Sequence, residues 1–179
     1  MPPISQVRKE EQALHALLFT QAQYKNHIPV KSDSLLRIAE AYYRTSNDSL
    51  HKAWTLFYLA QYYRDSDEKE KALSYFQQAN IASRNIENNQ FKFLLNLHWA
   101  GLLTNEDAYE KGIEKYQTAN RYAILLKDTL KQINLYGKWG WCCLLKEEDE
   151  RADSLFNVGL TLSATTKDRI YDKYLLNRL

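Results

Sequence analysis

Leu59-Ala60-Gln61-Tyr62-Tyr63, followed by Asp67-Glu68-Lys69-Glu70-Lys71-Ala72-Leu73-Ser74-Tyr75-Phe76-Gln77-Gln78-Ala79, sets small residues at 72 and 79 on either side of an aromatic at 76. Spacings of three, four and seven place such residues on one face of a helix. A small side chain lets a neighbouring helix approach closely, and the large one beside it fills the groove that results. The same pattern recurs at intervals of 40 residues. Position 79 becomes Ala39, Ala119 and Gly159, and position 76 becomes Leu36, Tyr116 and Phe156. Position 72 becomes Ser32, Gly112 and Ala152, and position 60 becomes Thr20, Ala100 and Gly140. A bulky residue precedes each member of the last set: Phe19, Leu59, Trp99 and Trp139.

Columns that keep their size class at a fixed interval mark a repeat architecture, in which each unit buries its apolar face against its neighbours. The reading is all-α: a right-handed α-α superhelix (a solenoid) of four helical hairpins plus one C-terminal helix. Helices are predicted over 6–24, 32–44, 48–64, 68–84, 88–104, 106–125, 128–146, 148–164 and 167–179. The repeats then span 6–44, 48–84, 88–125 and 128–164, in a single domain over 1–179. Asp67 with Glu70 forms a capping-box pattern, and Asn47, Asn88 and Asn105 stand where N-caps are wanted. The trailing segment carries Ile170, Tyr174, Leu175 and Leu176. A terminal solenoid helix wants a polar outer face, so the chain is expected to be a fragment of a longer protein.

Composition agrees. Among 179 residues there are 5 Gly and 3 Pro, and two of the prolines are Pro2 and Pro3. That is too little punctuation for the turns of a β-sandwich. Lys plus Arg number 24 against 22 for Asp plus Glu, a balance that does not suit a surface neutralising a phosphate backbone, and nucleic acid is not an expected partner. No run approaches 18 apolar residues, so no membrane insertion of this chain is expected. The two cysteines, Cys142 and Cys143, are adjacent. Neighbours on a helix point about 100° apart, which rules out an unstrained disulfide between them. They are read as small buried apolar side chains.

No catalytic or metal motif is present. His15, His27, His51 and His98 lack the paired spacing of a zinc site, and no Gly-x-Ser-x-Gly elbow occurs. Glu147-Glu148-Asp149-Glu150 lacks the alternating ligands and glycine of a calcium loop and reads as the acidic start of a helix. No enzyme activity and no cofactor are expected. Trp99, Trp139, Phe76, Tyr116 and Phe156 are assigned to the core.

The pattern Leu59-Ala60, Tyr63, Ala72, Phe76 and Ala79 resembles the tetratricopeptide repeat, whose usual unit is 34 residues. The likeness covers roughly 10–165 and is closest in 52–84. It is looser where Trp99 and Trp139 replace the usual leucine, and where Gln23 and Ser32 occupy consensus columns. Ala22-Gln23-Tyr24-Lys25 followed by Ser32-Asp33-Ser34-Leu35-Leu36-Arg37-Ile38-Ala39-Glu40-Ala41-Tyr42-Tyr43 resembles the start of helical-repeat regions in Bacteroidetes envelope proteins.

The resemblance implies a non-enzymatic protein–protein or protein–peptide interaction scaffold. It further implies the extracytoplasmic repeat region of a membrane-anchored regulatory or assembly protein, facing the cell envelope or periplasm. The alternative is a cytoplasmic peptide-sensing transcriptional regulator. In the family the first helix of each unit lines a concave groove, and the corresponding residues here are Trp54, Phe57, Gln61, Arg64, His98, Asn105, Asn134, Lys138 and Trp141. The partner expected there is a protein or peptide segment, because Trp and Arg carry disproportionate interface energy and amides bond a peptide backbone. Self-association through the last helix is a further expectation.

Overall fold

The computed structural model describes residues 8–166. Among them there are eight helices and no strand: α1 (Lys9–Lys25), α2 (Ser34–Tyr43), α3 (Ser49–Asp65), α4 (Lys69–Ala82), α5 (Asn89–Asn105), α6 (Tyr109–Leu126), α7 (Thr129–Leu145) and α8 (Asp149–Ala164). The fold is all-α. The ninth helix predicted over 167–179 lies outside the described residues. The chain divides between Glu87 and Asn88 into two compact units, each holding two helical hairpins.

In the first unit α1 pairs with α2 and α3 with α4, while α3 also packs on α2 and α1. In the second, α5 pairs with α6 and α7 with α8, and α7 packs on α6 and α5. The size-class columns account for the packing. Ala39, Ala79, Ala119 and Gly159 are buried, as are Leu36, Phe76, Tyr116 and Phe156. Thr20, Ala60, Ala100 and Gly140 are buried too. Thr20 and Thr104 satisfy their hydroxyls on the carbonyls of Ala16 and Ala100, both at 2.9 Å, so a polar side chain fits the core without an orphaned donor. Cys142 and Cys143 are buried free thiols, outside any disulfide, and Cys142 Sγ donates to the Tyr109 carbonyl at 3.8 Å. Burial pushes the Cys143 thiol up to about 11 and raises Cys142 as well, which suits inert packing.

The repeat is written in the backbone as well as in the core. Four of the five non-glycine residues with positive φ are His27, Asp67, Asp107 and Glu147, at φ 54°, 59°, 55° and 64° and spaced 40 apart. Each closes a hairpin in the same way. The amide of the residue after it donates to a carbonyl five residues back: Ile28 to Gln23, Glu68 to Tyr63, Ala108 to Leu103 and Glu148 to Cys143, at 2.8–2.9 Å. This six-to-one bond is the Schellman closure of a helix end. The first helix of each later hairpin is opened by an Asx cap in the same register. Asp48 accepts from the His51 amide, Asn88 from Phe91 and Asp128 from Lys131, at 2.9–3.1 Å.

Several local expectations change. Asp48, not Asn47, caps α3. Asp67 is the left-handed turn residue and Glu68 occupies the N-cap without a side-chain bond, so no capping box with Glu70 forms. Asn105 ends α5, and α6 starts after Ala108. Ser32 is exposed ahead of α2, because the segment around Pro29 is non-helical and delays that helix to Ser34. Phe19 is half exposed and Trp139 half-buried, whereas Leu59 and Trp99 in the same column are buried.

Candidate functional site

Trp54, Phe57, Gln61 and Arg64 follow one another at spacings of three, four and three along α3 and so form one stripe. Phe57 is only 2% exposed and sits edge-on to Phe76 of α4, with ring centroids 6.2 Å apart. It is a core side chain with one edge toward Trp54, at 5.7 Å. Gln61 is 3% exposed, and its amide oxygen Oε1 accepts no hydrogen bond. A buried, unpaired acceptor costs about 1–3 kcal/mol.

Around this stripe α1 and α3 build an aromatic ladder. Tyr24 of α1 stacks on Tyr58 at 5.4 Å and 20°, and Tyr58 stacks on Trp54 at 5.6 Å and 17°. Spacing alone singled out neither tyrosine as part of a cross-helix stack. Burial pushes the Tyr58 phenol up to about 12 and raises that of Tyr24 further, with Asp65 adding to the latter. Both are neutral hydroxyls at any physiological pH. Arg64 closes the end of the stripe in an ion pair with Asp65 at 2.7 Å. Phe57, Tyr58 and Gln61 are buried, so the face presents the half-buried Trp54, Tyr24 and Arg64.

In the second unit the remaining groove residues fall on two stripes. His98 and Asn105 lie seven apart on α5, while Asn134, Lys138 and Trp141 lie at spacings of four and three on α7. His98 and Asn134 are half-buried, Asn105 and Lys138 are exposed, and Trp141 is 38% exposed. α5 and α7 are in contact. These five residues are polar apart from Trp141, unlike the ladder of the first unit.

The most elaborate polar cluster lies elsewhere, and spacing did not reveal it. Arg37 of α2 donates to Asp33 at 2.8 Å, to Glu40 and Tyr75 at 2.6 Å each, and to the Tyr63 hydroxyl. Tyr63 in turn donates to Asp33 at 2.7 Å and stacks on Tyr75 at 5.5 Å and 4°. The Tyr63 bond holds the Asp33 carboxyl below its usual range, and burial pushes the Tyr63 phenol up to about 12. Arg37 is shared by the carboxylates of Asp33 and Glu40, and the cluster ties α2, α3 and α4 together. In the acidic run at the start of α8, Glu148 pairs with Lys146 at 2.7 Å and with Arg151 at 3.0 Å. Among the described residues no group of His, Cys, Asp and Glu could hold a metal ion, and no helix is long and apolar enough to cross a membrane.

No family model matches the sequence, and no curated protein matches it.

Proposed function

We propose that the chain is a non-enzymatic interaction scaffold of tetratricopeptide-like repeats, of the kind that assembles a right-handed α-α superhelix and docks a partner segment on its first helices. The observation that carries this reading is the 40-residue recurrence of the left-handed closures at 27, 67, 107 and 147, in step with the Asx caps at 48, 88 and 128. A chain that repeats its turns as faithfully as its core is built of like hairpins, the units that repeat proteins use to read extended partners. The chemistry of those faces supports a peptide. Trp54 and Tyr24 supply flat area at little entropic cost, and Arg64 supplies hydrogen-bonding groups. We extend the proposal to the extracytoplasmic repeat region of a membrane-anchored regulatory or assembly protein, on the strength of the motif over 22–43.

The test is selection of binders from a displayed library of extended peptides, followed by calorimetric titration of one selected peptide. Arg64→Ala and Trp141→Ala are each expected to weaken binding by tenfold or more, equivalent to about 1.4 kcal/mol, with helicity and melting temperature held. Unchanged affinity in both variants, or melting temperatures that fall in parallel with binding, would defeat the groove assignment.

A further inference from the structure

The repeat supplies its own internal control. At the end of the second helix of each hairpin, the register positions are Arg44-Thr45, Arg84-Asn85, Ile124-Leu125 and Ala164-Thr165; the first two pairs stand in the turn, whereas the third belongs to the last turn of α6. Only the third is aliphatic. Ile124 and Leu125 are 56% and 62% exposed, and Leu130, in the first turn of α7, is 45% exposed. None of the three is required by the core. Ala123 and Leu126, on the opposite side of the same helical turn, are the residues packed into it. The tip is firmly built: Lys127 adopts φ 53° with its amide on the Ile124 carbonyl at 3.1 Å, and Asp128 caps α7. An exposed aliphatic cluster at a rigid end of a helix pair is a departure that packing does not explain.

The charges beside it are basic. Arg121 lies one helical turn before Ile124 and Leu125, and Lys127 lies in the turn itself; both are exposed. The nearest acid, Asp128, is taken up by the Lys131 ammonium and by its own cap. Aliphatic side chains at a projecting end, flanked by cations and without aromatic rings or a groove, are complementary to an apolar layer beneath an anionic surface.

We infer that the α6–α7 tip, formed by Ile124, Leu125 and Leu130 with Arg121 and Lys127, is a peripheral docking point for an anionic lipid bilayer. The aliphatic side chains enter the boundary between headgroups and acyl chains, and the two cations meet lipid phosphates. Such contact is shallow and reversible, and it needs no spanning helix. Leu130 lies one helical turn before Asn134 on α7, so the tip adjoins that stripe, but the inference does not rest on peptide binding.

The experiment is vesicle co-sedimentation of the full chain, comparing phosphatidylcholine alone with phosphatidylcholine and phosphatidylglycerol in equal parts. Wild type is expected to sediment with the mixed vesicles several-fold more than with the neutral ones, and to release as salt is raised. Ile124→Ala with Leu125→Thr copies the Ala164-Thr165 turn and leaves the charge unchanged; it should abolish sedimentation. Arg121→Gln with Lys127→Asn keeps the apolar surface and a residue tolerant of the left-handed turn. It should lower binding by roughly 25-fold, since each basic residue near such a surface contributes about fivefold. Circular dichroism on both variants verifies the fold. Absence of wild-type binding to mixed vesicles overturns the inference, as does binding that neither variant reduces. A lipid-free, concentration-dependent increase in mass that the Ile124→Ala, Leu125→Thr variant removes would assign the tip to a second copy of the chain instead, and would overturn it equally.

Discussion

The β-carbon that Gly140 lacks would fall 2.6 Å from Cε1 of Phe156 and 2.8 Å from Cδ1. The two residues belong to the columns that begin with Thr20 and Leu36, so the recurrence of small against large is resolved here to a single contact between α7 and α8. Gly140 is in mid-helix, where alanine ordinarily adds about 1 kcal/mol of helix propensity. The clash outweighs it, because Phe156 is fully buried and its ring has nowhere to move. Gly140→Ala is expected to lower stability by about 1–3 kcal/mol. Gly101 is the control: its added Cβ would meet only the Tyr116 hydroxyl, at 3.9 Å. Gly101→Ala should therefore raise stability by about 0.5–1 kcal/mol. Urea denaturation of both variants checks the pair, and effects of the same sign would refute the packing argument.

Glu147 holds φ 64° with no glycine's freedom to do so. A non-glycine residue in this region carries about 1 kcal/mol of strain. Its side chain is exposed, so removing it forfeits little packing. Glu147→Gly is expected to raise the unfolding free energy by about 0.5–1 kcal/mol. Glu147→Val, β-branched at the same position, should lower it. Thermal melts of the two variants give the answer, and a destabilising glycine would show that the turn is held by something other than its backbone.

Asp128 caps α7 through the Lys131 amide and pairs with the Lys131 ammonium, which holds its carboxyl below the usual range. A depressed folded-state value contributes stability that is present above the unfolded pKa of about 3.9 and is lost as pH falls through the folded value. The side chain is about one-third exposed, so solvent screening limits the pH-dependent share to less than about 1 kcal/mol. Asp128→Asn reproduces the cap that Asn88 already provides. It should cost a few tenths of a kcal/mol at neutral pH, a gap that closes as pH drops below about 4. Asp128→Ala also loses the cap and should cost about 1 kcal/mol at neutral pH. Denaturant midpoints from pH 7 down to pH 3 follow this, and a gap between wild type and the Asn variant that does not move with pH would exclude the linkage.

What the sequence made legible was whatever the core dictates. Leu36, Phe76, Tyr116 and Phe156 are all buried, and the helix limits fall within a few residues of those expected. The hairpin closures escaped notice because His27, Asp67, Asp107 and Glu147 share a backbone conformation and not a chemistry, and none is the glycine that usually marks a left-handed turn. That same hidden residue displaces the start of each following helix, so Asp67 and Asn105 were misplaced as caps. The groove positions were carried by resemblance alone. Phe57 shows the difficulty: α3 has helices on more than one side, so a position on its expected outer stripe still meets Phe76. The Arg37 cluster had no sequence signature, since its members come from three helices and meet only once these are packed.

Within each unit, helices contact only those one or two places away along the chain, and each hairpin carries its own closure. No distant segment has to be found before a hairpin becomes stable against its neighbour, so little loop entropy opposes assembly. Such a chain can acquire its structure in installments while it is still being synthesised, the first pair of helices serving as template for the next.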